Sequence, residues 1–325
     1  MDFNYTQISS NLLRDLPSRV KEVVSRRFGL ESGKEETLEA IGGDFGITRE
    51  RIRQIEESGL EKIRPEIRKY QKVFDGFYEY LEKQGTLKRE TILLEDLGRE
   101  KYQPQIYFLL SLDNRFKRMS ENDDFCPLWT TDKNNLTFAK KTIDFLFNKL
   151  KESKKPLSFK ELKSFQPGVN DAVLNSYLEA SKKIQKNAEG LYGLKDWPEI
   201  NPRGIKDKAY LIFKKTGKPL HFTDVTKMIN GALTQTVHNE LIRDSRFVLV
   251  GRGIYALSEW GYTPGQVKDV LLRILKESKK PLTKEEILNL ALKQRMVKEN
   301  TILLNLSNKN YFTRNPQGKY TVRES

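Results

Sequence analysis

The heptapeptide KESKKPL occurs twice in this sequence, at 151–157 and at 276–282. Apolar residues at helical spacing precede both copies, in TIDFLFNKLKESKK and VKDVLLRILKESKK. A third version, KAYLIFKKTGKPL, lies between them. The prolines that close the three stretches, Pro156, Pro219 and Pro281, are 63 and 62 residues apart. Each predicted helix ends in a lysine-rich turn, favourable at the negative end of the helix dipole, and a proline stops it. A repeat of this length describes a chain of small domains rather than the turns of a solenoid. With 325 residues and only 37% hydrophobic content, the chain suits several small cores better than one large one.

The tryptophans give the register. Trp129, Trp197 and Trp260 each close a unit, and EGLYGLKDW (189–197) and RGIYALSEW (252–260) lead up to two of them. The last unit keeps the tyrosine in QGKYTV (317–322), and the first, ending in FCPLW (125–129), matches more loosely. Four units are expected, at about 71–130, 137–199, 203–262 and 265–323, joined by the turn-rich linkers TTDKNN, INPRG and GYTPG. In the clearest unit a helix runs to about Lys215, PLHF is extended, and Thr223 is placed to cap a second helix that stops at Gly231. A third helix, TQTVHNELIRD, is followed by the strands RFVLV and IYALS around a GRG turn. Three helices and a hairpin make a winged helix, with Tyr255 and Trp260 assigned to packing the hairpin on the helices. The expected fold class is mainly α: an N-terminal helix-turn-helix domain (1–70), then a tandem array of small α+β winged-helix units.

The stretches PLHFTDVTKMIN and RFVLVGRGIYALSEW resemble the HARE-type winged helix-turn-helix, a module associated with nucleic acids. The resemblance is good for 203–262, fair for 137–199 and 265–323, and weak for 71–130. Winged helices that read DNA usually carry basic or amide side chains on the third helix. The third helices here, QPQIYFLLSLDN, GVNDAVLNSYLE, TQTVHNELIRD and VKENTILLNLSN, carry few positive charges. The candidate phosphate contacts of the tail are therefore Lys182, Lys183, Lys186, Arg246, Arg252, Arg314 and Lys319. Docking to a protein fits the same pattern equally.

Net charge is +14, unevenly spread. Residues 1–70 hold 13 Lys+Arg against 13 Asp+Glu, whereas 264–325 hold 13 against 6. A basic field rising toward the C-terminus points to a polyanion partner; a lysine-rich solvated surface is the plainer reading. One cysteine, Cys126, and two histidines, His221 and His238, rule out a disulfide framework and a Cys/His zinc site. No apolar run reaches membrane-spanning length, and MDFNYTQISS lacks the pattern of a signal peptide. The expectation is a cytoplasmic, nucleoid-associated protein that is not an enzyme and takes no cofactor, metal, membrane or small-molecule substrate. Its sequence holds no phosphate loop and no Asp/Glu-Lys nuclease constellation.

The segment TLEAIGGDFGITRERIRQIEESGLEKIR (37–64) carries the sharper signal. A short helix begins near Thr37, a turn falls at Gly46, and Thr48 caps a longer helix. Ile52, Ile55, Gly59 and Ile63 share one face of it; Glu50, Gln54, Glu57 and Glu61 lie opposite, flanked by Arg51 and Arg53. Arginines can hold phosphates, while Gln, Arg and Glu can bond base edges in a major groove. A charged, solvated surface helix is the alternative.

The strings RRFGL, TLEAIG and TRERIRQIE closely resemble region 4 of sigma-70-type bacterial sigma factors, over residues 12–64. The resemblance implies that this helix enters the major groove of a promoter −35 element. It implies base contacts from Arg49, Glu50 and Gln54, and phosphate contacts from Arg51 and Arg53, with Thr37, Leu38 and Glu39 nearby on the first helix. It also implies docking to the flap of the RNA polymerase beta subunit through RVKEVVSRRFGL. Gly43 and Asp44 depart from the family, where basic or neutral polar residues are common, which should weaken phosphate contact. The stretch before Pro17 leaves no space for the domains that bind the clamp and melt the −10 element, so a complete initiating sigma factor is not expected. The expected function is a bacterial transcription regulator or sigma-like factor. Its head would recognise −35-like double-stranded DNA, RNA polymerase, or both, and its basic tail would add DNA contacts. The alternative is a polymerase-associated adaptor that binds protein only.

Overall fold

The computed structural model describes residues 3–262 and 264–323. It is mainly helical, and its strands form small antiparallel sheets. Two compact units emerge, 1–195 and 196–325.

The first unit opens with four helices: α1 (Tyr5–Leu12), α2 (Ser18–Phe28), α3 (Leu38–Phe45) and α4 (Arg49–Ile63). Asn4 caps α1, accepting from the Gln7 N–H at 3.1 Å. A 3-10 turn, Arg64–Tyr70, leads into α5 (Gln71–Lys83), β1 (Leu87–Arg89), α6 (Glu90–Leu112), β2 (Lys117–Met119) and β3 (Leu128–Thr130). The helix α6 is two helices in one span, broken at Arg99 (φ 50°, ψ −168°). The core runs straight across the boundary expected at residue 70. Tyr5, Leu12, Val24, Phe28 and Ile63 are buried together with Phe74, Phe77, Phe108, Leu109 and Trp129. The Phe28 ring meets Phe108 edge-on at 5.2 Å, and Gln105 Nε2 donates to the Leu30 carbonyl at 3.1 Å. A smaller core of Val23, Ile41 and Ile52 holds α2, α3 and α4 together. There Gly59 lets two backbones approach, since a Cβ on it would lie 2.8 Å from Val20 Cγ1.

After α6 the order helix, strand or extended residue, helix, helix, hairpin repeats. Still within the first unit come α7 (Asn135–Ser153), α8 (Phe159–Ser164), α9 (Asp171–Ala180), β4 (Ile184–Lys186) and β5 (Tyr192–Leu194). The second unit holds α10 (Gly204–Thr216), β6 (Leu220–His221), α11 (Phe222–Met228), α12 (Thr234–Arg243), β7 (Phe247–Gly251) and β8 (Ile254–Leu257). It ends with α13 (Val267–Ser278), α14 (Lys284–Gln294), α15 (Glu299–Leu306), β9 (Phe312–Arg314) and β10 (Tyr320–Val322). One pairing recurs in register. Leu157 pairs with Tyr192, Leu220 with Tyr255 and Leu282 with Tyr320, each leucine being the buried residue that follows a repeat proline. In the first repeat Leu87 pairs with Thr130 in the same role.

The 203–262 stretch has its strands in the order β6-β8-β7. Tyr255 is buried, and Trp260 packs on Phe213 with ring centroids 6.3 Å apart. The second helix starts two residues earlier than its sequence suggests. His221 rather than Thr223 is the cap, its Nδ1 accepting from the Thr223 N–H at 3.4 Å. The next repeat reaches back to β7: Met296 N–H donates to the Val250 carbonyl at 2.9 Å, and the buried Arg295 guanidinium donates to the Leu249 and Gly265 carbonyls.

The long helices α7, α10 and α13 end in the same left-handed residue. Gly217 fills it after α10 (φ 65°), but Lys154 (φ 53°) and Lys279 (φ 52°) fill it after the other two. A side chain there costs about 1 kcal/mol relative to glycine.

Candidate nucleic-acid interface

The turn between α3 and α4 is built by local chemistry. Thr37 Oγ1 accepts from the Ala40 N–H at 3.1 Å, and Thr48 Oγ1 accepts from the Arg51 N–H at 3.2 Å. Each threonine satisfies one of the orphan donors at a helix start. Between them Gly46 ends α3 in a left-handed conformation (φ 65°), and the Ile47 N–H returns to the Gly42 carbonyl at 3.0 Å. The face of Ile52, Gly59 and Ile63 is buried, with Ile55 half-buried. The opposite face, Arg49, Glu50, Arg51, Arg53, Gln54, Glu57 and Glu61, is open to solvent, with the Arg49 side chain 66% accessible and Arg53 49%.

That open face is electrostatically self-contained. Arg53 sits between Glu50 at 2.9 Å and Glu57 at 2.8 Å. Arg51 Nη1 donates to Gln54 Oε1 at 3.0 Å, and Arg49 reaches across to Glu39 on α3 at 3.6 Å. Hydrogen bonds from Arg53 hold the Glu50 carboxyl below the usual carboxylate range, and the same bonds raise the guanidinium further. A phosphate that approached Arg53 would therefore have to displace a carboxylate, and Gln54 would have to release Arg51 before meeting a base. The expected contacts at the start of α3 differ in kind. Thr37 is exposed, Leu38 is half-buried in the small core, and Glu39 is an anion. What this end can offer a phosphate is its free backbone N–H groups, with the Glu39 charge opposing them. Asp44, the departure from the family pattern, is itself in use: Arg26 bonds both Asp44 and Glu36.

The structure divides the seven tail candidates. Lys182 pairs with Glu121 at 2.6 Å. Lys183 lies between Asp124 at 2.6 Å and Asp144 at 2.7 Å. Arg246 is held by Asp207 at 2.8 Å and Asp244 at 2.6 Å and lies over the Tyr210 ring. Hydrogen bonds from Lys140 and Lys183 keep the Asp124 carboxyl below its ordinary range, and Arg246 does the same for Asp244. These three cations are ties within the fold. Lys186, Arg252, Arg314 and Lys319 stand on the hairpins; Lys186 lies over the Tyr192 ring and Arg314 over that of Tyr320.

Two third-position helices of the first unit have a role that their place in the repeat does not predict. The second half of α6 is buried at Ile106, Phe108, Leu109 and Leu110, against α1 and α2 among others. The helix α9 packs on β1: Glu179 meets the buried Lys88 at 2.8 Å, and the Ser176 hydroxyl donates to the Leu87 carbonyl. The Cys126 N–H donates to the Ala180 carbonyl at 2.9 Å. The signal for this packing is IYFLLSL (106–112), which is apolar almost all round, as a helix covered on several sides must be. The same packing covers Val24 and Phe28 of RVKEVVSRRFGL, and Val23 is buried in the small core with Ile41 and Ile52, whereas Arg19, Lys21 and Glu22 are exposed. Among the described residues no three His, Cys, Asp or Glu side chains are grouped to hold a metal ion, and no helix is long and apolar enough to cross a membrane.

Comparison with known proteins singles out this same region. Residues 12–65 match the family described as Sigma-70, region 4. Similar curated proteins include the RNA polymerase sigma factor SigA of Nostoc sp., 47% identical over 66 residues that make up 18% of this chain and 17% of that protein. SigA of Synechocystis sp. is 46% identical over 66 residues, 18% of this chain and 16% of the relative. SigA of Clostridium acetobutylicum is 49% identical over 53 residues, 16% of this chain and 14% of the relative. The similarity thus spans less than a fifth of the length of these relatives, and it coincides with the helix-turn-helix described above. It supports a sigma-like or DNA-binding role in transcription for that segment.

Proposed function

We propose that this protein is a transcription regulator whose head reads −35-like promoter DNA through α4, while a tail of four HARE-type winged-helix units adds backbone contacts. The observation that carries this reading is the open outer face of α4. Arg49, Glu50 and Gln54 face solvent while Ile52, Gly59 and Ile63 anchor the helix from behind. Arg49 and Gln54 would bond base edges with Glu50 accepting from a cytosine amino group; Arg51 and Arg53 would exchange their present partners for phosphates. The α3 start at Thr37, Leu38 and Glu39 would contribute backbone donors. Lys186, Arg252, Arg314 and Lys319 are the tail candidates ready to meet a phosphate; Lys182, Lys183 and Arg246 would have to leave carboxylates first. Linked weak modules raise each other's effective concentration, so neither head nor tail needs to bind tightly alone.

The polymerase-adaptor reading is favoured by the head's equal numbers of acidic and basic residues. Docking to the polymerase beta flap through RVKEVVSRRFGL would fall to its exposed Arg19, Lys21 and Glu22, since Val23, Val24 and Phe28 are spent in the two cores of the fold. Selection of bound fragments from random duplex DNA, with and without RNA polymerase, separates the two. Enrichment of one motif by the chain alone supports direct reading; enrichment only with polymerase, or none, supports the adaptor.

A further inference from the structure

The two identical heptapeptides fold into alike turns, and both turns spend backbone conformation on lysine. Lys154 and Lys279 occupy the left-handed position that Gly217 fills in the intervening repeat. Backbone of this kind persists where the surrounding structure over-determines it, and it clusters at functional sites. The turns are also pinned. Ser153 Oγ lies 2.9 Å from the carbonyl oxygens of both Leu150 and Lys155, and Ser278 Oγ lies 2.9 Å from that of Leu275 and 2.8 Å from that of Lys280. Pro156 and Pro281 then fix the exit, and the following leucine is locked to the last strand of its repeat.

Four ammonium groups stand on these turns, all exposed: Lys154, Lys155, Lys279 and Lys280. The neighbouring carboxylates are taken. Glu152 pairs with Lys149 at 2.7 Å and Glu277 with Arg273 at 3.7 Å. Glu161 and Glu286 accept from the Ser158 and Thr283 N–H groups at 2.7 Å in capping boxes. Bonds to Ser158 are the leading cause that keeps the Glu161 carboxyl below its usual range, and Lys155 contributes least. Among the described residues none of the four lysines has a carboxylate within ion-pair distance, in contrast to Lys182 and Lys183. In the first unit α6 and α9, the helices that would ordinarily enter a groove, are occupied by packing.

We infer that the Lys154-Lys155-Pro156 and Lys279-Lys280-Pro281 turns are phosphate-binding sites for the backbone of duplex DNA, each presenting two ammonium groups on a pre-formed turn. The inference rests on the proposal that the tail contacts DNA and names where it does so. Cations without a competing carboxylate can displace the counterions of the DNA without first breaking an ion pair.

The test is a full-length quadruple variant, Lys154→Gly, Lys155→Ser, Lys279→Gly and Lys280→Ser, titrated with a mixed-sequence duplex of about 40 base pairs at several salt concentrations. The slope of log affinity against log salt should fall by about 1 for each phosphate no longer neutralised, hence by about 2 to 4, with the melting temperature held or raised. Lys163→Ala, a lysine of the same charge paired with Asp171 at 2.8 Å and not among the candidate contacts, should leave the slope unchanged. An unaltered slope in the quadruple variant overturns the inference, as does an equal fall per lysine from Lys163→Ala, which would mean that only net charge is read. A fall seen on duplex RNA and not on duplex DNA overturns the assignment to DNA. Wild-type binding that keeps its sequence preference while the slope stays put leaves the promoter-reading proposal standing and removes only this one; no DNA binding by the wild type removes both.

Discussion

The first unit contains two helices that begin alike and end in opposite circumstances. Both α4 and α9 start at a polar cap, Thr48 and Asn170, and both bury an apolar face. Outward from that face α4 carries Arg49, Glu50, Arg53 and Gln54, whereas α9 carries Ser176, Tyr177 and Glu179, each with a partner inside the fold. Whether a helix is left open for a partner or closed over a neighbour is decided by its second face. Long charged side chains keep a face in water because burying them unpaired is costly; small and aromatic ones let a strand come close.

Breaking the closed side should have the largest consequence. Cutting the chain after residue 70 would leave Val24, Phe28 and Ile63 without Phe74, Phe77 and Phe108, and residues 1–70 alone should show no cooperative melting transition by circular dichroism. A cooperative transition would mean that the head needs no partner repeat. Within the intact chain, Phe108→Ala should cost about 3–5 kcal/mol in urea unfolding of the first unit. The same measurement on Gln54→Ala should show a change within about 0.5 kcal/mol, since its side chain is at the surface.

Acid should act through the ties that close the 71–195 region. The Asp124 carboxyl, held low first by Lys140 and then by Lys183, contributes stability above the unfolded aspartate value of about 3.9. That contribution is lost as pH falls through its depressed folded value. Asp124→Asn should therefore lose about 1 kcal/mol at pH 7 and differ little from wild type near pH 2. Equal losses at both pH values would assign the effect to something other than charge. On the open side the effect should be smaller still. Glu57→Gln frees Arg53 from one of its two carboxylates, so DNA affinity should rise by about 0.5 kcal/mol at low salt and the gain should shrink at high salt.

Much of this is readable from the chain because it is local. Thr37, Gly46 and Thr48 mark the helix-turn-helix through cap chemistry, and Ile52, Gly59 and Ile63 mark its buried side by spacing. The repeat prolines and tyrosines mark the period of the repeat, and the structure adds the pairing of Leu157 with Tyr192. What cannot be read depends on residues distant in sequence. Nothing near Phe28 says that Phe108 covers it, and nothing near Lys183 says that Asp124 and Asp144 will claim it. Net charge by segment suggests free cations in the tail, but charge counts do not distinguish an ammonium in an ion pair from one in water. The cap at His221 escapes a sequence reading because threonine is the commoner cap and histidine caps only through its ring nitrogen.

The most direct test of promoter reading compares wild type, Arg49→Ala and Gln54→Ala on the preferred duplex and on a scrambled duplex of equal length at fixed salt. Base contact from α4 predicts that each substitution weakens the preferred site by about 1–3 kcal/mol and leaves the scrambled one nearly unchanged. Equal loss on both duplexes, or none on either, would contradict it.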